Sequence, residues 1–323
     1  ISSDAVTSDD LSPLPALEEG AASVMGYRMA YVAGGTGEPV IFLHGLGHAA
    51  SAWDEVLPHL ARRFHVFAVD MLGCGRSDKP RVDYSLAALA TYTRLFMDAV
   101  GIRRGHLVGH SLGGGIAMQT SWQYPERVNR LALVATGGLG RDLRFLLRIA
   151  TLPGAAVGLA GAAWPVWTRL VKRTPFGKRI SPVARENMLM WTRLGHADNR
   201  WAFMRMLRSV SNFSGQSVSA LDGLPQMQHP VLLIWGERDR TIPVIHARRA
   251  APLIPNCQLA ILPGCTHYPP LEQPGEVAAL LERFLFAPDN QRAAAAEAMA
   301  ELERADHGEM VMDECGEMAA GLA

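Results

Sequence analysis

The sequence predicts an α/β fold: a mostly parallel sheet flanked by helices and interrupted by one long helical insertion. Three observations carry this. Short, partly β-branched apolar runs alternate with stretches whose apolar residues recur at helical spacing. The alternation stops from about Gly138 to Leu224 and then resumes. The chain is also large enough for one sizeable core, with 323 residues, 49% hydrophobic and 19% charged.

In chain order, Val40–Leu43, His65–Val69 and His106–Val108 read as buried parallel strands. Ser51–Ala61, Leu86–Val100 and Leu112–Gln123 read as the helices that follow them. Leu131–Ala135 is a further strand, and Val231–Trp235 and Gln258–Leu262 complete the series after the insertion. Strand and helix in strict alternation require crossover connections, which place helices on both faces of the sheet. The expected organisation is an N-terminal extension (1–24), a core in two pieces (25–137 and 225–287), a helical cap (138–224) and an acidic helical tail (288–323).

Composition narrows the function. The formal net charge is zero, which gives nucleic-acid binding no electrostatic basis. Cys74, Cys257, Cys265 and Cys315 are scattered, without metal-binding spacing, so no metal site is expected. They read as free thiols of a reducing compartment, which suggests a cytoplasmic protein. The start, ISSDAVTSDD, has no signal-peptide pattern.

The chemistry is suggested by "VGHSLGGGIAM", Val108–Met118. A serine between glycines is often mere turn punctuation. Here a strand-like run precedes it and a helix-like run follows, so Ser111 would sit on a sharp strand-to-helix corner. A hydroxyl there needs a base and an orienting acid to act as a nucleophile. Asp239 lies just past the strand Val231–Trp235, and His267 lies past the next strand in "LPGCTHYPPLEQP". A loop Asp can equally be a turn or cap residue, and most of the 11 histidines must be structural. The order Ser111, Asp239, His267, each at a strand end, points to a triad. Glu237 and Asp142 remain alternative acids.

The chain resembles the α/β-hydrolase superfamily over roughly residues 25–286. The resemblance rests on "HGLG" (His44–Gly47), "DMLGCGRSD" (Asp70–Asp78), "GHSLGG" (Gly109–Gly114), "GERD" (Gly236–Asp239) and "GCTH" (Gly264–His267). It implies the α/β-hydrolase fold, an oxyanion hole made by the N–H groups of Leu46 and Leu112, and no cofactor or metal. It also implies that Asp70–Asp78 builds a structural loop. Ser rather than Asp at position 111 sets the chain apart from the dehalogenase and epoxide-hydrolase branches. "YPERVNRLALVATGGLG" is similar to meta-cleavage-product hydrolases, but His110 and Tyr268 stand where that family usually has Asn and Trp.

The insertion carries Trp164, Trp167, Trp191 and Trp201, four of the chain's seven tryptophans, with Met188, Met190, Met204 and Met206. Such residues usually pack a core, but a cap over an active site exposes some of them to an apolar substrate. The four tryptophans are therefore the candidate substrate contacts. Leu146–Val171 is nearly uncharged, but Arg148, Pro153 and Pro165 interrupt it, which argues against a membrane span. Between Arg141 and Phe213 there are 13 Lys or Arg against 3 Asp or Glu; residues 288–323 hold 9 acidic against 2 basic residues. Both segments can be ordinary solvated faces. The alternative is peripheral contact of the basic cap with an anionic membrane.

The expected function is a serine hydrolase that cleaves a carboxylic ester of an apolar small molecule, lipid-like substrates included, through an acyl-enzyme intermediate. A C–C bond hydrolase of the meta-cleavage type and a ligand-binding receptor on the same scaffold are the other readings.

Overall fold

The computed structural model describes residues 15–152, 154 and 180–286. The sheet and the serine corner belong to one compact unit, which ends at Leu281.

Eight strands form the central sheet: β1 (Leu17–Val24), β2 (Tyr27–Gly34), β3 (Glu38–Leu43), β4 (Phe64–Val69), β5 (Gly105–His110), β6 (Val128–Val134), then β9 (Val231–Gly236) and β10 (Cys257–Leu262). Two further strands, β7 (Ser211–Asn212) and β8 (Gly215–Gln216), make a separate hairpin. The spatial order in the large sheet is β1-β2-β4-β3-β5-β6-β9-β10. From β4 to β10 every pairing is parallel, while β1–β2 and β2–β4 are antiparallel. The six strands expected from the apolar runs are β3, β4, β5, β6, β9 and β10. β3, β5 and β6 stack in register, Phe42 opposite Val108 and Val108 opposite Ala132. Their last residues are almost wholly buried, as a sheet covered on both faces requires.

Residues 17–24, placed by sequence in an N-terminal extension, are instead the edge strand β1. Its sequence, LEEGAASV, has few large apolar residues, and all but Val24 of it are at least partly exposed. Antiparallel pairing to β2 stabilises it, so its own periodicity is weak.

Helices α2 (Leu86–Ala99) and α3 (Leu112–Gln123) form where expected. Ser85 caps α2, its Oγ accepting from Ala88 N–H at 3.3 Å. The helix expected over Ser51–Ala61 is only a 3₁₀ turn, Ala50–Trp53, and the single turn α1, Leu57–Leu60. Pro58 removes a backbone donor from that stretch. Its apolar spacing still serves burial: Trp53 is fully covered and meets Phe42 edge-on at 5.1 Å.

Between β6 and β9 lie α4 (Phe145–Ala150), α5 (Pro182–Leu194) and α6 (Ala197–Val210), followed by the β7–β8 hairpin. The sequence suggested no strand in this insertion, and the two-residue strands are too short for any periodicity to reveal. The remaining α-helices among the described residues are α7 (Ile245–Ala250), α8 (Pro269–Glu272) and α9 (Pro274–Phe286). Among the described residues no helix is long and apolar enough to cross a membrane. Trp164, Trp167 and the acidic tail 288–323 fall outside the described residues.

Candidate functional site

Strand β5 ends at His110 and α3 begins at Leu112, so Ser111 alone makes the turn. Its φ of 54° and ψ of −114° lie where L-residues are strained. Four backbone–backbone bonds fix this geometry. Ser111 N–H donates to Val134 O (2.9 Å), and Ser111 O accepts from Gly114 N (3.1 Å), Gly115 N (3.4 Å) and Gly137 N (3.2 Å). Close packing explains the flanking glycines. A Cβ on Gly109 would collide with the backbone of Gly113, and one on Gly113 with the backbone of Leu43. Helix and strand therefore approach to a distance that only glycine allows.

Asp239 lies just past β9, and its carboxylate has two tasks. Oδ1 accepts from Thr241 N (2.7 Å) and Ile242 N (2.9 Å), which locks the side chain. Oδ2 accepts from His267 Nδ1 at 2.7 Å. With the ring proton held on Nδ1, the lone pair on Nε2 faces Ser111 Oγ at 3.1 Å. Ser111, His267 and Asp239 thus form one continuous hydrogen-bonded chain, with Asp239 and His267 buried.

The alternative acids are committed elsewhere. Glu237 Oε2 accepts from Gly264 N at 2.9 Å, and Asp142 Oδ2 bonds His246 Nε2 at 2.9 Å. Asp70 is structural: its carboxylate accepts from Ala50 N and Arg76 N, both at 2.7 Å. It tethers the segment after β4 to the segment after β3.

Leu46 and Leu112 both border the cavity at Ser111. Leu46 lies in the turn closed by His48 N–H to Gly45 O (3.1 Å). Leu112 opens α3, so its N–H has no acceptor within the helix.

Two further histidines crowd this corner. His110 Nε2 donates to His267 O at 2.8 Å and so fixes the loop that carries His267. Burial, reinforced by His267 nearby, pushes the His110 pKa down to about 3, so its ring is neutral at ordinary pH. His48 stacks face to face on Tyr268, centroids 5.6 Å apart, and burial holds it well below the usual histidine range. Tyr268 in turn donates to Asn187 Oδ1 on α5 at 3.4 Å. The role of His48 was not read from the sequence, although it directly follows "HGLG". Nothing in its neighbours announces a stacking partner 220 positions away in the chain.

Ser111 and His267 open into a cavity of about 540 Å³. That is ample for an organic substrate. One face of α3 forms a wall: Gly115, Met118, Gln119 and Trp122 fall at the i, i+3, i+4, i+7 positions of a helix. The insertion supplies the opposite side through Leu146, Met190, Trp191 and Phe203. Among the described lining residues none is Asp, Glu, Lys or Arg. Of the four tryptophans proposed as substrate contacts, Trp191 lines the cavity. Trp201 does not: its ring meets Tyr84 edge-on at 5.7 Å, with the Arg81 guanidinium 4.3 Å over its face. Residue type and helical spacing identify apolar residues of the insertion but not which side of α6 meets the core. Met204 and Met206 are likewise buried packing residues. Among the described residues no group of His, Cys, Asp and Glu is arranged to hold a metal ion.

A model of the alpha/beta hydrolase fold matches residues 38–274. An uncharacterised protein of Mycobacterium tuberculosis is 37% identical over 275 residues, covering 81% of this chain and 80% of that protein. A 2-hydroxy-6-oxo-6-phenylhexa-2,4-dienoate hydrolase of Burkholderia cepacia is 30% identical, covering 72% and 82% of the two chains. Among solved structures, a membrane phospholipase A described as a bacterial virulence factor superposes with a TM-score of 0.69 at 26% identity, covering 83% and 86%. The chain belongs to the α/β-hydrolase fold family.

Proposed function

We propose that the protein is a serine hydrolase that cleaves carboxylic esters with an apolar acyl or alcohol part through an acyl-enzyme intermediate. The observation that carries this reading is the Ser111–His267–Asp239 hydrogen-bonded chain opening into an apolar cavity.

In this mechanism Ser111 Oγ attacks the ester carbonyl carbon while His267 Nε2 takes its proton. Asp239 holds the Nδ1 proton and stabilises the imidazolium. The carbonyl oxygen becomes an oxyanion, which the N–H groups of Leu46 and Leu112 receive. Both donors are fixed by backbone, so they need little reorganisation, and the N-terminal end of α3 adds a favourable dipole. Collapse of the intermediate breaks the C–O bond, and His267 returns the proton to the departing alcohol. Water then enters, loses its proton to His267 and attacks the acyl carbon, releasing the acid and Ser111. His48 and His110 stay neutral and compete with neither step.

The likeness to a dienoate hydrolase raises C–C bond cleavage as a second reading. A dienoate carries a carboxylate, and burying one without a cationic partner is costly. The absence of Lys or Arg among the described lining residues favours an uncharged ester.

Turnover of p-nitrophenyl esters of rising chain length, with a meta-cleavage dienoate alongside, tests this reading. Each buried CH₂ contributes about 0.8 kcal/mol, so the four that separate acetate from hexanoate supply up to about 3 kcal/mol. We expect kcat/KM for hexanoate to exceed that for acetate by about tenfold or more. Equal values would mean that the apolar cavity does not receive the acyl chain. Turnover of the dienoate in preference to every ester would replace this reading with the second one.

A further inference from the structure

Among the described residues, exposed apolar side chains border the cavity that Ser111 faces. Helix α4 presents Phe145 (58% exposed) and Leu146 (63%), and the tip of the β7–β8 hairpin presents Phe213 (48%). Ile149, Leu152 and Val218 extend the same patch. Two arginines hold its parts together. Arg148 Nε donates to Phe213 O at 2.6 Å, and its guanidinium lies 5.6 Å over the Phe213 ring. Arg208, on α6, donates from Nε and Nη2 to Thr151 O and Leu152 O, both at 3.1 Å. Leu146, Ile149 and Val218 line the cavity as well as being exposed, so patch and cavity are continuous.

The charge in the segments that carry the patch is predominantly positive. Residues 141–152 and 205–218 hold five arginines (Arg141, Arg144, Arg148, Arg205 and Arg208) and a single acid, Asp142. Asp142 is engaged with His246. None of the five arginines pairs with a carboxylate among the described residues. Exposed aromatic and aliphatic side chains flanked by arginines match the chemistry of one surface. The rings and aliphatic groups enter the acyl boundary of a bilayer, while the guanidinium groups stay level with anionic headgroups. A contiguous exposed apolar patch otherwise costs a water-borne protein solubility.

We propose that α4 and the β7–β8 hairpin dock on the surface of an anionic lipid bilayer, with the cavity mouth turned toward it. The docking rests on the surface alone. Its consequence for chemistry, that the ester is an amphiphile drawn from the bilayer, rests on the ester-hydrolase reading above.

Sedimentation with phosphatidylglycerol or phosphatidylcholine vesicles tests the proposal, with soluble p-nitrophenyl hexanoate turnover measured in parallel. Phe145 and Phe213 do not line the cavity, so the Phe145→Asp/Phe213→Asp double variant serves as the surface probe. The full chain is expected to sediment with phosphatidylglycerol vesicles at low salt, about tenfold more weakly at 0.5 M salt, and little with phosphatidylcholine. The double variant is expected to bind about tenfold more weakly or worse while turning over the soluble ester within about twofold of the parent. That activity reports an intact fold. No sedimentation of the parent with phosphatidylglycerol would overturn the proposal, as would equal binding to both lipids or undiminished binding by the double variant. Loss of soluble-ester turnover in the parent would count against the ester reading and leave the vesicle result standing.

Discussion

Replacing Ser111 with Ala is expected to lower kcat/KM for the hexanoate ester by about 10³-fold or more, with little change in thermal stability. The two parts of that expectation have separate causes. The chemical loss follows from the proposed attack by Oγ, and no other hydroxyl faces His267 Nε2 among the described contacts. The stability expectation follows from the backbone. Serine and alanine suffer the same strain at a φ of 54°, so Ser111→Ala does not change the cost of the corner. The bonds that hold the corner, the one from the Thr136 hydroxyl included, all use main-chain atoms of residue 111, so they survive the substitution. Steady-state kinetics and a melting curve on the same preparation check both parts. Residual activity within tenfold of the parent would mean that Ser111 is not the nucleophile.

Asp239→Asn is expected to be nearly as damaging, about 10³- to 10⁴-fold in kcat. An asparagine oxygen can still accept from Thr241 and Ile242 N–H, so the loop keeps its shape. Its amide nitrogen then faces His267 Nδ1 and can only donate. That forces the ring proton onto Nε2, where it blocks acceptance of the Ser111 proton; the same tautomer error disables other Ser–His–Asp enzymes to this degree. The comparison variants are Glu237→Gln and Asp142→Asn. Glu237 serves Gly264 N–H and Asp142 serves His246, so each should change kcat less than about threefold. Activity that survives Asp239→Asn but falls with Asp142→Asn would reassign the acid.

The parts of the molecule legible in the sequence are those governed by local rules. Strands buried on both faces must carry continuous apolar runs, and β3 (Val40–Leu43), β6 (Leu131–Val134) and β9 (Val231–Trp235) do. Ser111, Asp239 and His267 could be singled out because each follows a strand, and the ends of parallel strands converge on one edge of the sheet. What the sequence obscured depends on partners distant in the chain. The edge strand β1 is held by β2 rather than by its own pattern. The helix expected over Ser51–Ala61 yields to Pro58, and its apolar residues cover the sheet without helical continuity. Trp191 and Trp201 lie on successive helices with similar neighbours, yet only the tertiary packing decides that Trp191 lines the cavity and Trp201 packs against Tyr84 and Arg81. The His48–Tyr268 stack joins the segment after β3 to the segment after β10, and no spacing rule links them.

The central claim is that Ser111 is an activated nucleophile, and covalent trapping tests it most directly. Incubation with a fluorophosphonate, followed by proteolysis and peptide mass spectrometry, is expected to place one phosphonyl group on Ser111. The Ser111→Ala variant should remain unlabelled, as should a parent protein whose Ser111 has already been blocked by an earlier round of the same probe. A phosphonyl group on a different residue, or no labelling of a protein that still hydrolyses the hexanoate ester, would contradict the account.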